Sequence, residues 1–202
     1  MPKYNRKDSA YTRAKKDGYR SRAAYKLLEL DSEYSLFGSK SKRIVDLGAA
    51  PGSWLQVVEQ KLKPSTRVVG IDIVEIEPFN TDSIRLIIGD ISSDTVMEEV
   101  ESHLGAKADL VLSDMSNKLS GIYFRDVCAS AELLNLALNA CSSILSNNGN
   151  FVGKFFPGEE TELVVKQMKK SFKSVKTQTL KSTRKSSKEK YVIAKGFNHN
   201  KI

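Results

Sequence analysis

Asp46, Asp72, Asp90 and Asp114 fall at or just past the carboxyl ends of four successive strand-like runs, which read RIVDLG, GIDI, IIGDI and VLSDMS. One aspartate in such a place caps a helix or braces a turn. Four in register, along the edge where open α/β sheets bind ligands, describe a site. The first run continues as DLGAAPGSW, residues 46–54, a strand, a glycine-rich turn and a helix start. Such a turn lets backbone amides approach a ligand closely. It is not the GxGxxG pattern of a pyrophosphate site, because Asp46 sets a carboxylate beside Gly48 and Gly52. That favours a ligand carrying an ammonium and hydroxyls over one carrying phosphates. Asp72 stands where a carboxylate grips a ribose diol, and Asp90 can accept from an exocyclic amine such as that of adenine. The ligand so described is a nucleoside with a cationic tail and no phosphate, which fits S-adenosylmethionine.

A second chemical candidate is Lys154 in NFVGKFFPGEE, residues 150–160, the most aromatic run of the chain. Burying an unpaired ammonium is costly. Read by itself, the residue is a lysine whose stem packs on a sheet while its head reaches water.

The elements that must position these residues alternate. Apolar strand-like runs span 43–47, 67–71, 84–88, 109–113 and 150–155, and helical patterns lie at about 21–34, 53–62, 95–104, 127–145 and 160–170. That order argues a parallel, doubly wound α/β sheet. Two more strands near 174–178 and 190–194, joined by the basic run STRKSSKEK, suit a closing antiparallel hairpin. Residues 1–20 read as a basic, flexible arm and residues 21–202 as a single domain. No internal repeat is evident.

Composition bounds the function. No apolar run approaches a membrane span in length, and no membrane partner is expected. Cys128 and Cys141 lie in an apolar helical pattern, with no CxxC or Cys/His cluster, so neither a disulfide frame nor a metal is expected. The net charge of +8 is unevenly spread: residues 1–43 balance at +7, residues 44–165 at −10 and residues 166–202 at +11. Basic ends around an acidic centre favour a polyanion partner, most simply nucleic acid. That charge speaks against a small-molecule methyltransferase.

DLGAAPGSW, the strand-end acids and the flanking lysines resemble the FtsJ/RrmJ family of S-adenosylmethionine-dependent RNA ribose 2′-O-methyltransferases, over about residues 18–196. The resemblance implies a Rossmann-like class I methyltransferase fold, with a mostly parallel seven-stranded sheet, an antiparallel last strand and helices on both faces. It carries cofactor positions onto Gly52, Trp54, Asp72, Asp90 and Asp114. It carries a catalytic set onto Lys26 in SRAAYKLLEL, Asp114, Lys154 and Glu189 in SSKEKY. It further implies a monomeric, cytoplasmic enzyme acting on a uridine of 23S ribosomal RNA in the large ribosomal subunit. Related members act on tRNA anticodon loops, which is the alternative substrate. A non-catalytic RNA-binding protein is the remaining reading, and the complete lysine and acid set argues against it.

The chemistry gives Lys154 a part. A ribose 2′-OH is a poor nucleophile unless its proton is taken or tightly held. A lysine takes that proton only with a pKa drawn below about 10.4, which apolar neighbours and a second ammonium favour. The expected neighbours are Phe151, Phe155 and Phe156, with Lys26 as the second cation and Asp114 and Glu189 as orienting acids. Arg20, Arg22 and the basic residues of 181–190 are expected along an RNA backbone, with Tyr4, Tyr11, Tyr19 and Tyr25 as stacking candidates.

Overall fold

The computed structural model describes residues 9–38, 41–61, 63, 65–184 and 186–201. One seven-stranded sheet runs through it in the order β3-β2-β1-β4-β5-β7-β6. The first five strands are β1 (Arg43–Leu47), β2 (Arg67–Asp72), β3 (Ile84–Ile88), β4 (Ala108–Ser113) and β5 (Leu145–Phe155), and their neighbours pair in parallel. β6 (Phe172–Gln178) and β7 (Lys190–Phe197) close the sheet, with β7 antiparallel to both β5 and β6. The expected class I architecture is observed, with the antiparallel strand inserted between β5 and β6.

Helices cover both faces. α2 (Ala24–Tyr34) and α3 (Ser53–Lys61) lie over one core, with Leu27, Leu30, Trp54 and Leu55 packed against Ile44, Leu110, Val152 and Ile193. α4 (Asp94–Leu104), α5 (Tyr123–Ile144) and α6 (Glu159–Ser171) lie over the other, which holds Val45, Val111, Phe151, Phe155, Val192 and Ala194. Side chains alternate between sheet faces with a period of two. Lys154 therefore points to the α2 side with Val152, away from Phe151 and Phe155. Two of the three aromatic neighbours expected for the lysine, Phe151 and Phe155, are thus on the opposite face, because adjacent strand residues cannot share one. By length and composition α5 could cross a membrane. Its residues Val127, Leu134, Leu138 and Cys141 are instead buried in the core.

The N-terminal arm also differs from expectation. Residues 1–8, with Tyr4, lie outside the described residues. From Ser9 the chain forms α1 (Ser9–Lys16), whose Ala14 is buried. Tyr19 then donates to Gln60 Oε1 (3.0 Å), and the Arg20 amide donates to Gln56 Oε1 (2.7 Å), which tie this segment to α3. The periodicity missed α1 because the helix is short and strongly polar.

The turn after β1 depends on Gly48. Its φ is +72°, and a Cβ there would meet Met115 Cγ at 2.4 Å and Met115 Cα at 3.1 Å. The β1–α3 turn thus packs directly on the chain leaving β4. Gly48→Ala is expected to cost about 1–3 kcal/mol, through left-handed strain and that contact. Urea unfolding would show it as a lowered midpoint with an unchanged slope.

Candidate active site

Two ion pairs meet at the carboxyl edge of the sheet. Lys154 Nζ donates to the Asp114 main-chain oxygen at 2.7 Å and lies 3.2 Å from Asp114 Oδ1. Lys26 Nζ, from α2, lies 2.6 Å from Glu189 Oε1. Tyr191 bridges the pairs. Its hydroxyl donates to Asp114 Oδ1 at 2.9 Å, and Lys26 Nζ sits 5.8 Å from its ring centroid. Register explains the meeting, since Tyr191 lies opposite Lys154 across the β5–β7 ladder. All four residues of the expected catalytic set are thus brought together from the two ends and the middle of the chain.

The electrostatics follow from burial and pairing. Burial pushes the Asp114 carboxyl up. The Lys154 and Lys26 ammoniums, with hydrogen bonds from Tyr191 and Lys154, overcome that and hold it below the ordinary carboxylate value. Burial, then the Asp114 and Glu189 carboxylates, push the Tyr191 phenol well above its usual value, so it remains a donor. Glu189 is itself buried, and its Oε1 also accepts from Thr183 Oγ1 at 3.1 Å.

Beside this cluster lies a cavity of about 360 Å³, lined by Gly48, Ala50, Asp72, Asp90, Asp114 and the apolar side chains of Ile73, Ile91, Met115 and Leu133. Asp72 braces the turn as well as lining the wall: Oδ2 accepts the Ala50 amide (2.8 Å) and Oδ1 the Val74 amide (3.0 Å). Asp90 Oδ1 accepts from the Ser92 amide and hydroxyl, which hold that exposed carboxyl below its ordinary value. Asp46, 1% exposed, stands behind this wall, and neither of its oxygens has a hydrogen-bond partner among the described residues. Burial first, then the carboxylates of Asp114 and Asp72, push its pKa well up. A buried carboxyl without partners, next to two further carboxylates and an apolar wall, fits a flat nucleoside with a cationic tail.

Other expectations are corrected. The Trp54 side chain is in the core, 2% exposed, with Nε1 donating to Ala23 O at 2.9 Å and its ring tilted against Tyr191 at 6.1 Å. Period-3.6 packing of α3 turns it onto α2, so it backs Tyr191 from behind and does not wall the cavity. Gly52 lies at the start of α3, also off that wall; its φ of +99° and its closeness to Arg20 Nη1 reflect the tight turn. Arg20 is a clamp, donating to Pro51 O (3.1 Å) and Pro78 O (3.0 Å) over the Phe79 ring. Tyr25 donates to Asp17 Oδ2 (2.7 Å) and meets Tyr19 edge-on, so both tyrosines are engaged in the fold. Sequence reasoning missed Tyr191, Thr183 and Met115. Only strand register, which a single chain does not print, singles out Tyr191.

Opposite pH effects follow. Asp114, whose pKa is lowered on folding, contributes stability above the unfolded carboxylate value that is lost as pH falls through its folded one. Asp46, whose pKa is raised, makes the fold bind the extra proton, so stability falls as pH rises from about 4 towards its folded value. Asp46→Asn is expected to remove this second slope from the ligand-free protein, as thermal melts across the pH range would read. A wild-type melting temperature independent of pH from about 4 to neutrality would contradict that assignment. Tyr191→Phe is expected to destabilise by about 1 kcal/mol, the lost hydrogen bond to Asp114, readable by urea unfolding.

The comparisons agree with this geometry. The FtsJ-like methyltransferase family model matches residues 19–197. Ribosomal RNA large subunit methyltransferase E of Methanothermobacter thermautotrophicus is 39% identical over 192 residues, covering 95% of this chain and 90% of its own length. The protein of the same name from Methanobrevibacter smithii is 40% identical over 190 residues, covering 94% and 90%. A crystal structure of a ribosomal RNA methyltransferase from Plasmodium falciparum superposes with a TM-score of 0.76 at 31% identity, covering 89% of this chain and 98% of that one. The chain belongs to the FtsJ-like methyltransferase family, and S-adenosylmethionine is its methyl donor.

Proposed function

We propose that the protein methylates a ribose 2′-hydroxyl in ribosomal RNA of the large subunit, at a uridine of the 23S molecule. The observation that carries this reading is the position of the paired lysines between two cavities. Asp114 lines the donor cavity, while Lys26 and Glu189 line a second cavity of about 450 Å³ that opens among Arg22, Arg184 and Lys188. Ser116 lines both. The names of the archaeal relatives favour ribosomal RNA over tRNA.

Bound in the donor cavity, S-adenosylmethionine supplies a methyl group already activated on a sulfonium. The protein then has to align a hydroxyl and manage its proton. In this reading Asp114 neutralises the cationic tail, with Asp46 behind it in the wall, and Asp72 and Asp90 hold the ribose and adenine. Gly48 keeps the turn close, and Trp54 contributes a main-chain N–H group from the opening turn of α3, where the Gly52 N–H is already taken by Ala49 O. Lys154 spends two of its three N–H directions on Asp114, so it is held rigidly with one left to grip the acceptor hydroxyl. Lys26, fixed by Glu189, adds the second positive charge that favours a developing alkoxide.

Labelled S-adenosylmethionine offered to large subunits, free rRNA and tRNA in parallel tests the reading. Label is expected in large-subunit RNA as a 2′-O-methylated nucleotide. Lys154→Ala is expected to lower transfer by about 100-fold or more while donor binding persists. Label in tRNA alone would overturn the substrate, and label in no RNA would overturn the reaction.

A further inference from the structure

The second cavity carries an aromatic wall that the methyl transfer itself does not use. Tyr123 opens α5 and lines this cavity together with Lys26, Glu189, Leu119, Phe156 and Lys188. Tyr123 is 47% exposed, although its side chain is held at both ring and hydroxyl. The ordering is specific. The Tyr123 hydroxyl donates to Pro157 O at 2.5 Å, and Lys188 Nζ lies 4.3 Å from the ring centroid. The chain leading into it is pinned as well: Asp126 Oδ1 accepts from the Ser120 amide at 2.7 Å and from its hydroxyl at 2.8 Å. An exposed ring that is anchored at its rim, next to a cation and in the same cavity as Lys26 and Glu189, is built to be covered by something flat.

We propose that Tyr123 is a stacking platform for the base of the nucleotide being methylated, with Lys188 neutralising an adjoining phosphate. This deepens the reading above and rests on it. The chemistry fits that ligand in three ways. RNA read outside a helix presents unpaired bases, and these stack on aromatic faces. The cavity volume of about 450 Å³ lies within the range of small-ligand sites. Its rim is cationic where a phosphate backbone would pass, with Arg22, Arg184 and Lys188 on the cavity wall. With the ribose at Lys26 and Lys154, the attached base extends along the cavity to Tyr123. The exposed neighbours Leu119, Ile122 and Phe124 continue an apolar surface beyond it.

The test compares a short oligouridylate with an abasic ribose–phosphate strand of equal length, by fluorescence anisotropy. Tyr123→Ala and Tyr123→Leu are expected to weaken the oligouridylate by about 5- to 100-fold, the range of one base–aromatic stack, and to leave the abasic strand unchanged. Tyr123→Phe keeps the ring and is expected to bind as the wild type does. Calorimetric binding of S-adenosylmethionine serves as the fold control and is expected to be unchanged in all three. Equal weakening of both strands, or no weakening of the oligouridylate by Leu, would overturn the platform. So would loss of methylation on intact subunits with oligonucleotide binding intact, which assigns the surface to a protein contact. A wild type that methylates no RNA would sink the functional reading. A wild type that methylates RNA, with Tyr123→Leu keeping its kcat/KM, would sink the platform alone.

Discussion

Charge balance at the carboxyl edge of the sheet is the constraint on which the rest of the structure depends. Burial and the nearby carboxylates of Asp114 and Asp72 raise Asp46, which has no cation of its own among the described residues. The Lys154 and Lys26 ammoniums, with the hydrogen bonds from Tyr191 and Lys154, hold the Asp114 carboxyl below its ordinary value against burial. Neither lysine is free to drift: one is bound to Asp114 itself, the other to the buried Glu189. Removing one partner from such a pair leaves an uncompensated charge, which is strongly destabilising inside a protein. Much of the surrounding packing serves this balance. Trp54 joins α3 to the start of α2 and backs Tyr191, while Glu29 accepts the amides of Lys181 (2.6 Å) and Ser182 (2.9 Å) on the far side of α2. Together they hold Lys26 at its working distance.

What could be read in the sequence was what depends on local pattern. The strand runs and the amphipathic helices were legible because burial imposes periods of 2 and 3.6. The strand-end aspartates were legible because strand ends are visible in that pattern. Orientation around an element was less so: Trp54 two residues after Gly52 suggests a cavity wall, yet the helix turns it into the core. The phenylalanines flanking Lys154 suggest an apolar nest, yet strand alternation sends Phe151 and Phe155 to the opposite face. Interactions between distant segments were not legible at all. Tyr191 opposite Lys154, and Arg20 clamping Pro51 to Pro78, exist only once register and topology are fixed.

The two cavities have different origins along the chain. The donor cavity is lined between Gly48 and Leu136, a nearly continuous stretch of β1 to α5. The second cavity needs Arg22 and Lys26 from one end, Tyr123 and Phe156 from the middle, and Arg184 with residues 186–189 from the other end. The basic ends of the sequence are therefore not two independent tails. They are stitched to each other, by Arg22 Nη2 donating to Ser182 O at 2.7 Å and Lys195 Nζ donating to Tyr34 O at 2.8 Å.

That stitching bears on how the chain reaches its final state. The contacts of α2 and the residue Arg22 before it with β7 and the β6–β7 connection span about 160 residues, and long loops carry a closure entropy that must be met before such contacts return anything. The strands beside the first cavity pair over shorter separations, the longest being β1 with β4, where Ile44 lies opposite Leu110. α2 has to wait for the last hairpin before Lys26 has an acid to meet. The cavity beside Asp114 is lined by residues that precede β5, whereas the second cavity also requires the last hairpin, so the two halves of the site draw on the chain unequally.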